Sequence, residues 1–233
     1  MVLTDPEKYE ITNLSRQAGA TIDTLGKWKA EAVKDRILSI NPHAKIQISM
    51  DGIHSDNVED LVSGVDIIVD SIEFYEFDAR CALFRAAEKH GIPLITAAPI
   101  GFGTNVLVFK PDSMGFEEYF DFASCSTLED KLLNFALGLS PSLNGFRDLD
   151  LGKISRSGAT NAPSLALSAS LASSVVSTLV FQLVSCPAAV KGVPHYMSFN
   201  TRTGQVCRGR LRRGNRSLLQ KIRRYVLRKK LAA

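Results

Sequence analysis

The stretch Val65-Asp66-Ile67-Ile68-Val69-Asp70-Ser71 constrains the fold more than any other. It is a compact apolar run, and such runs mark strands buried on both faces in parallel sheets. The chain around it alternates. Ala30, Val33, Ile37 and Ile40 recur at helical spacing behind Thr24, so residues 26–39 read as an amphipathic helix. Residues 46–50 alternate as a short strand, and Ser55 caps a short helix that ends at Gly64. Residues 77–90 form a helix with Gly91 as its left-handed cap and Pro93 beyond it. Residues 94–99 and 105–110 are the next strands, separated by Gly101-Phe102-Gly103. Strands alternating with helices imply an α/β chain with a Rossmann-like, mostly parallel sheet and helices on both faces. Ligands in open sheets of that kind sit at the carboxyl ends of the strands, here just beyond Asp70.

A chain of 233 residues with 45% hydrophobic content suits one packed domain with appendages. Residues 1–20 carry Asp5, Glu7 and Glu10 and do not read as a secretory signal. Cys81, Cys125, Cys186 and Cys207 lie far apart with no C-x-x-C pair, which argues against a disulfide framework or zinc ribbon and suits a reducing cytoplasm. The four histidines show no metal spacing. Charge is unevenly spread: residues 201–233 carry 12 cations and no acid, so the rest of the chain is net −8 although the whole is +4. An acidic body with a basic C-terminal tail suggests an acidic protein surface, an anionic lipid or a nucleic acid as the tail's partner. Leu218, Leu219, Ile222, Val226 and Leu227 form an apolar stripe among those cations.

Before the apolar run lies a second constellation. Asp5 can accept hydrogen bonds from ribose hydroxyls, as the acid after the second strand of dinucleotide folds does. Asn13, Arg16 and Lys29 supply donors and positive charge for phosphate oxygens. The order of these residues resembles the ThiF/MoeB/HesA family of ubiquitin-activating-type adenylyltransferases. The matching segments are Asp5-Pro-Glu7 with Asn13-Leu-Ser-Arg16-Gln17, then Gly26-Lys-Trp-Lys29, then Ser39-Ile-Asn41-Pro42.

The resemblance implies ATP and Mg2+ as cofactors and a carboxylate as the group adenylated, often the C-terminus of a small ubiquitin-like or sulfur-carrier protein. It implies nucleotide contacts from Asp5, Glu7, Asn13, Arg16, Gln17 and Lys29, catalytic roles for Arg16, Lys29 and Glu73, and magnesium binding by Glu73. It also implies a homodimer. The family's Gly-rich turn and first strand precede the acid matched by Asp5, so Met1-Val-Leu-Thr4 corresponds only to the end of the second strand. Residues 1–110 then form a partial nucleotide-binding domain, 111–160 a crossover segment, 161–200 an apolar helix and a last strand, and 201–233 the basic tail. A partner-binding relative without catalysis is the rival expectation. Cys125 is the only candidate for a thioester cysteine, and no residue near it in sequence lowers its pKa. Residues 165–184 are long enough to span a bilayer, but their Ser and Ala content favours a helix buried between the sheet and a dimer partner.

Overall fold

The structure, a computed structural model, describes residues 1–142 and 164–231. Its N-terminal part is a pair of strand–helix units. β1 (Val2–Thr4) is followed by α1 (Lys29–Ile40) and β2 (Gln47–Ser49), and the two strands pair in parallel with Val2 opposite Gln47. α2 (Val58–Val62), β3 (Ile68–Asp70), α3 (Phe77–Lys89) and β4 (Leu94–Ile100) come next, and β3 runs parallel to β4 with Asp70 opposite Thr96. The strand and helix expected around Asp70 are both present, and Gly91 takes the left-handed conformation after α3 at φ 64°.

Parallel pairing stops at β4. β5 (Gly103–Phe109), β6 (His195–Asn200) and β7 (Gln205–Arg210) continue the sheet in the order β3-β4-β5-β6-β7, each antiparallel to its neighbour from β4 onward. The mostly parallel sheet expected from the alternation is therefore mixed, and the link explains it. Only Gly101 and Phe102 join β4 to β5, and Gly101 at φ 56° folds the chain straight back. A parallel crossover needs a dozen or more residues. β1 and β2 form a separate two-stranded sheet.

Helices cover both faces of the larger sheet. α4 (Phe116–Phe120) and α5 (Leu128–Leu139) join α2 and α3 on one face, around Phe84, Phe109, Phe116, Phe120 and Phe135. Phe84 stacks on Phe116 at 3.9 Å between ring centres, and Phe109 meets Phe84 edge-on at 5.0 Å. The aromatic part of residues 111–160 is thus core, while residues 143–160 of that segment lie outside the described residues. On the other face α6 (Ala166–Ser185) sets Leu179 and Leu183 against Ile95, Val106 and Val108. α6 is long and apolar enough to cross a membrane by length and composition. It buries one face against the sheet, as expected, while Phe181 and Val184 on the other face, where a dimer partner is expected, are exposed in the single chain.

The basic C-terminal segment is built into the fold. Gly204, at φ 67°, turns the chain into β7, whose partner is β6. α7 (Leu218–Leu231) then lies against α5.

Gly103 shows how closely β5 and β6 approach. A Cβ there meets the Phe199 carbonyl oxygen at 2.6 Å, whereas Gly64, at φ 71°, faces open space. Gly103→Ala is expected to cost about 2–3 kcal/mol because backbone must move. Gly64→Ala is expected to cost about 1–2 kcal/mol from left-handed strain alone. Denaturant melts of the two variants check this ranking.

Candidate functional site

Two groups of side chains gather near the strand ends. The first grows from β1. Asp5 extends the β1–β2 ladder, donating its N–H to the Ser49 carbonyl at 3.2 Å, and its Oδ1 accepts the Glu7 N–H at 2.9 Å. Glu7 accepts the Lys29 N–H at 3.0 Å through its carbonyl and pairs with the Lys29 ammonium through its carboxylate. Lys29 is buried at the first turn of α1, and the Glu7 carboxylate is half exposed. A short antiparallel clamp holds this arrangement: Tyr9 donates to the Lys27 carbonyl at 2.9 Å, and Lys8 sits 4.6 Å above the Trp28 ring. Burial is the main influence on the Asp5 carboxyl and holds it above its ordinary range. The Glu7 N–H and the Lys29 charge only partly offset that.

Asn13 belongs to a tight turn at Ile11–Asn13. Its Oδ1 accepts the Glu10 N–H at 2.9 Å, and its carbonyl accepts the N–H groups of Arg16 and Gln17 at 3.0 and 2.9 Å. The buried Asn13 side chain therefore shapes the loop that presents Arg16. Gln17 is half buried, and its side chain makes no hydrogen bond among the described residues.

The second group lines a cleft of about 340 Å³ at the carboxyl ends of β3 and β4. Arg16 reaches it from the first group's loop, steadied by its Nη1 donating to the Thr12 carbonyl at 2.9 Å. Asp70, Glu73, Arg80 and Thr96 line it as well, with Ala169, Ala172 and Ser173 of α6 as a wall of small side chains. Asp70 and Arg80 are both buried and joined, Nε to Oδ2, at 3.1 Å. Asp70 Oδ1 also accepts the Ile72 N–H at 3.0 Å. Arg80 further donates to the carbonyls of Ile72 and Phe74, the latter at 3.3 Å, and its guanidinium lies 4.6 Å from the Phe135 ring centre. Residues 71–74 are thereby pinned from below. Glu73, within that loop, is exposed and makes no side-chain hydrogen bond or ion pair among the described residues.

Of the residues expected to act, the structure brings Arg16 and Glu73 to one cleft, and places Asp5, Glu7 and Lys29 in a neighbouring cluster. Asn13 positions Arg16. Sequence reasoning missed Arg80, although a signal existed: it falls on the apolar stripe Phe77, Cys81, Phe84 of α3, where an unpaired cation would be costly. Cys125 lacks the setting of a nucleophile. Burial pushes its thiol up, Arg224 only partly opposing, and its Sγ lies 3.6 Å from the Asp121 carbonyl oxygen.

The donor set can be tested against a nucleotide and a magnesium ion. Arg16 offers a guanidinium fork for phosphate, Asp5 an acceptor at a strand end, and the cleft volume is at the lower end of the usual range for small-ligand sites. No group of three or more metal-ligating side chains occurs among the described residues. Magnesium needs no such cluster, since it takes one or two carboxylates plus substrate phosphates. Glu73 is the carboxylate available to it, because Asp70 is committed to Arg80.

The model of the ThiF family matches residues 1–217. The chain belongs to the ThiF family. Among curated relatives of this ThiF-family chain, the sulfur carrier protein ThiS adenylyltransferase of Escherichia coli is 25% identical over 111 residues, covering 48% of this chain and 43% of the relative. The SAMP-activating enzyme E1 of Haloferax volcanii is 27% identical, covering 62% and 53%. The tRNA threonylcarbamoyladenosine dehydratase of Escherichia coli is 31% identical, covering 43% and 37%. The chain thus spans roughly half or less of the curated relatives it matches. A solved structure of Escherichia coli MccB superposes with a TM-score of 0.65 at 16% identity, covering 94% of this chain and 57% of MccB. That likeness shows the Rossmann-like fold.

Asp5 gives a prediction with a definite sign. The folded chain holds this proton to higher pH than the unfolded chain, so stability falls as pH rises through the folded pKa. Asp5→Asn keeps the oxygen that accepts the Glu7 N–H. It is expected to raise the melting temperature more at neutral pH than near pH 3, below the unfolded value of about 3.9, where it gives no gain. Melts across pH 3–8 check this.

Proposed function

We propose that this chain handles the nucleotide in an ATP-dependent adenylyltransferase that activates a carboxylate. One observation carries the reading: Arg16 of the N-terminal motif and the unpaired carboxylate of Glu73 line the same cleft, at the carboxyl ends of the parallel strands. Likeness to the ThiS adenylyltransferase and the SAMP-activating enzyme supports the C-terminus of a small sulfur-carrier or ubiquitin-like protein as the carboxylate.

In this reading a carboxylate oxygen attacks the α-phosphorus of ATP, the bond to the β-phosphate breaks, and pyrophosphate leaves. Bound magnesium supplies charge neutralisation on the phosphates. Arg16 donates to phosphate oxygens whose charge grows as the bond breaks, and Asp5 accepts from the ribose. Glu73 would hold the metal, and the Asp70–Arg80 pair keeps the Glu73 loop in place. Positioning and electrostatics supply most of the rate, as in phosphoryl transfer generally. Lys29 enters through Glu7, since its ammonium is already paired there. We extend the reading to a homodimer through the exposed face of α6, where Phe181 and Val184 stand uncovered. Sedimentation as a monomer at micromolar concentration removes that part.

A non-catalytic partner-binding role is favoured by a different observation. Among the described residues, the Asp5–Glu7–Lys29 cluster stands on a two-stranded sheet separate from the five-stranded sheet whose β3 leads into the Glu73 loop. The two readings separate on nucleotide binding. Mg-ATP is expected to raise the melting temperature, by about 2.7 kcal/mol of stabilisation at a hundredfold excess over Kd. Arg16→Ala is expected to weaken binding by about 10–100-fold through loss of charge-assisted hydrogen bonds. Glu73→Gln is expected to remove the dependence on magnesium while leaving magnesium-free binding in place. A melt indifferent to Mg-ATP overturns the enzymatic reading.

A further inference from the structure

α7 is docked the wrong way round for a surface helix. Gln220, Arg223 and Arg224 face the body. Gln220, 1% exposed, donates to the Leu137 carbonyl at 3.1 Å and to Asn215 Oδ1 at 3.3 Å. Arg223 donates to the Pro141 carbonyl, and Arg224 and Arg228 both pair with Asp130, at 2.9 and 2.8 Å. Those contacts use one side of the helix. The opposite side is apolar and open: Leu218 is 75% exposed, Ile222 53%, Tyr225 60% and Val226 46%. Leu218, Ile222, Tyr225 and Lys229 stand above one another at helical spacing, so they form one stripe. Ordinary surface helices bury such a stripe.

The charge around the stripe says what can cover it. Lys221 is exposed beside it, and the Lys229 ammonium lies within it, 4.8 Å from the Tyr225 ring centre. The whole segment 201–233 contains 12 cations and no acid. A second copy of α7 brings the same cations face to face. An apolar stripe with a lysine in it and cations at its edge matches the boundary of an anionic bilayer. There the hydrocarbon side chains enter the headgroup layer, and lysine stems lie along it with their charges in water.

We infer that the outward face of α7 is a docking surface for an anionic membrane, with Leu218, Ile222, Tyr225 and Val226 entering the headgroup layer. The fold holds the helix preformed by its polar face, so no ordering of a free tail is needed on binding. The cleft at β3 and β4 takes no part.

Co-sedimentation of the full chain with vesicles tests this. Vesicles of phosphatidylcholine alone are compared with vesicles in which a third of the lipid is phosphatidylglycerol. The chain is expected to bind the anionic vesicles only, with binding falling steeply as salt is raised. Ile222→Ser with Val226→Ser, at two exposed positions outside the core clusters, is expected to reduce binding roughly tenfold or more, at about 0.8 kcal/mol per buried methylene lost. Lys221→Gln with Lys229→Gln is expected to reduce it by a similar factor, at about 1 kcal/mol for each cation near the surface. An unchanged melting temperature in both variants keeps a folding defect from imitating the result. Absence of vesicle binding overturns the proposal. So does binding that survives the serine pair, because it is then charge attraction alone. Concentration-dependent self-association abolished by the same serine pair overturns it too, and assigns the stripe to a second copy.

Discussion

The ion pair between Asp70 and Arg80 is the contact on which the cleft depends. Both side chains are removed from water, where an isolated charge is costly. The structure offsets that cost with hydrogen bonds to both carboxylate oxygens and from all three guanidinium nitrogens. Asp70 accepts from Ile72 and Arg80, and Arg80 reaches two loop carbonyls and the face of Phe135. One contact thus ties the end of β3, the loop after it, α3 and α5 together. Removing either partner alone leaves a buried charge, at about 3–5 kcal/mol, a large share of the about 5–15 kcal/mol that holds a domain folded. The exposed carboxylate of Glu73 can face a ligand because the pair beneath it keeps its loop from collapsing.

The N-terminal unit rests on different physics. Two short strands alone are marginal, so β1 and β2 lean on α1 and on the clamp between residues 8–9 and 27–28. Lys29 is part of that clamp through Glu7. A residue the motif assigns to phosphate is here a structural tie, and burial raises the cost of ionising Asp5. If Asp5 accepts from a ribose as proposed, binding and stability oppose each other there, as they often do where polar groups are held away from water.

Local features of the chain were legible in the sequence, and contacts between distant segments were not. The apolar run ending at Asp70, the cap at Gly91 and the strand at Leu94 could be read because hydrophobic period and turn chemistry are local. Gly101 and Gly103 permit either a turn or a close backbone approach, but that the approach to Gly103 comes from the Phe199 carbonyl, far along the chain, is announced by nothing local. β7 was invisible for a related reason: Gln205 to Arg210 lacks an alternating apolar pattern, and only pairing with β6 makes it a strand. Within the site, Arg16 and Glu73 were legible as residue types in a resembling motif. Their meeting in one cleft, and Arg80 beneath them, needed the fold.

Hydrogen–deuterium exchange with and without Mg-ATP tests the central claim most directly, because it reads both walls of the cleft in one experiment. If Arg16 and the Glu73 loop grip one nucleotide, amides in residues 12–17 and 71–76 slow together when Mg-ATP is added, and those of α7 do not. Slowing confined to the basic segment 205–231, or none anywhere, contradicts the assignment of this cleft as the nucleotide site.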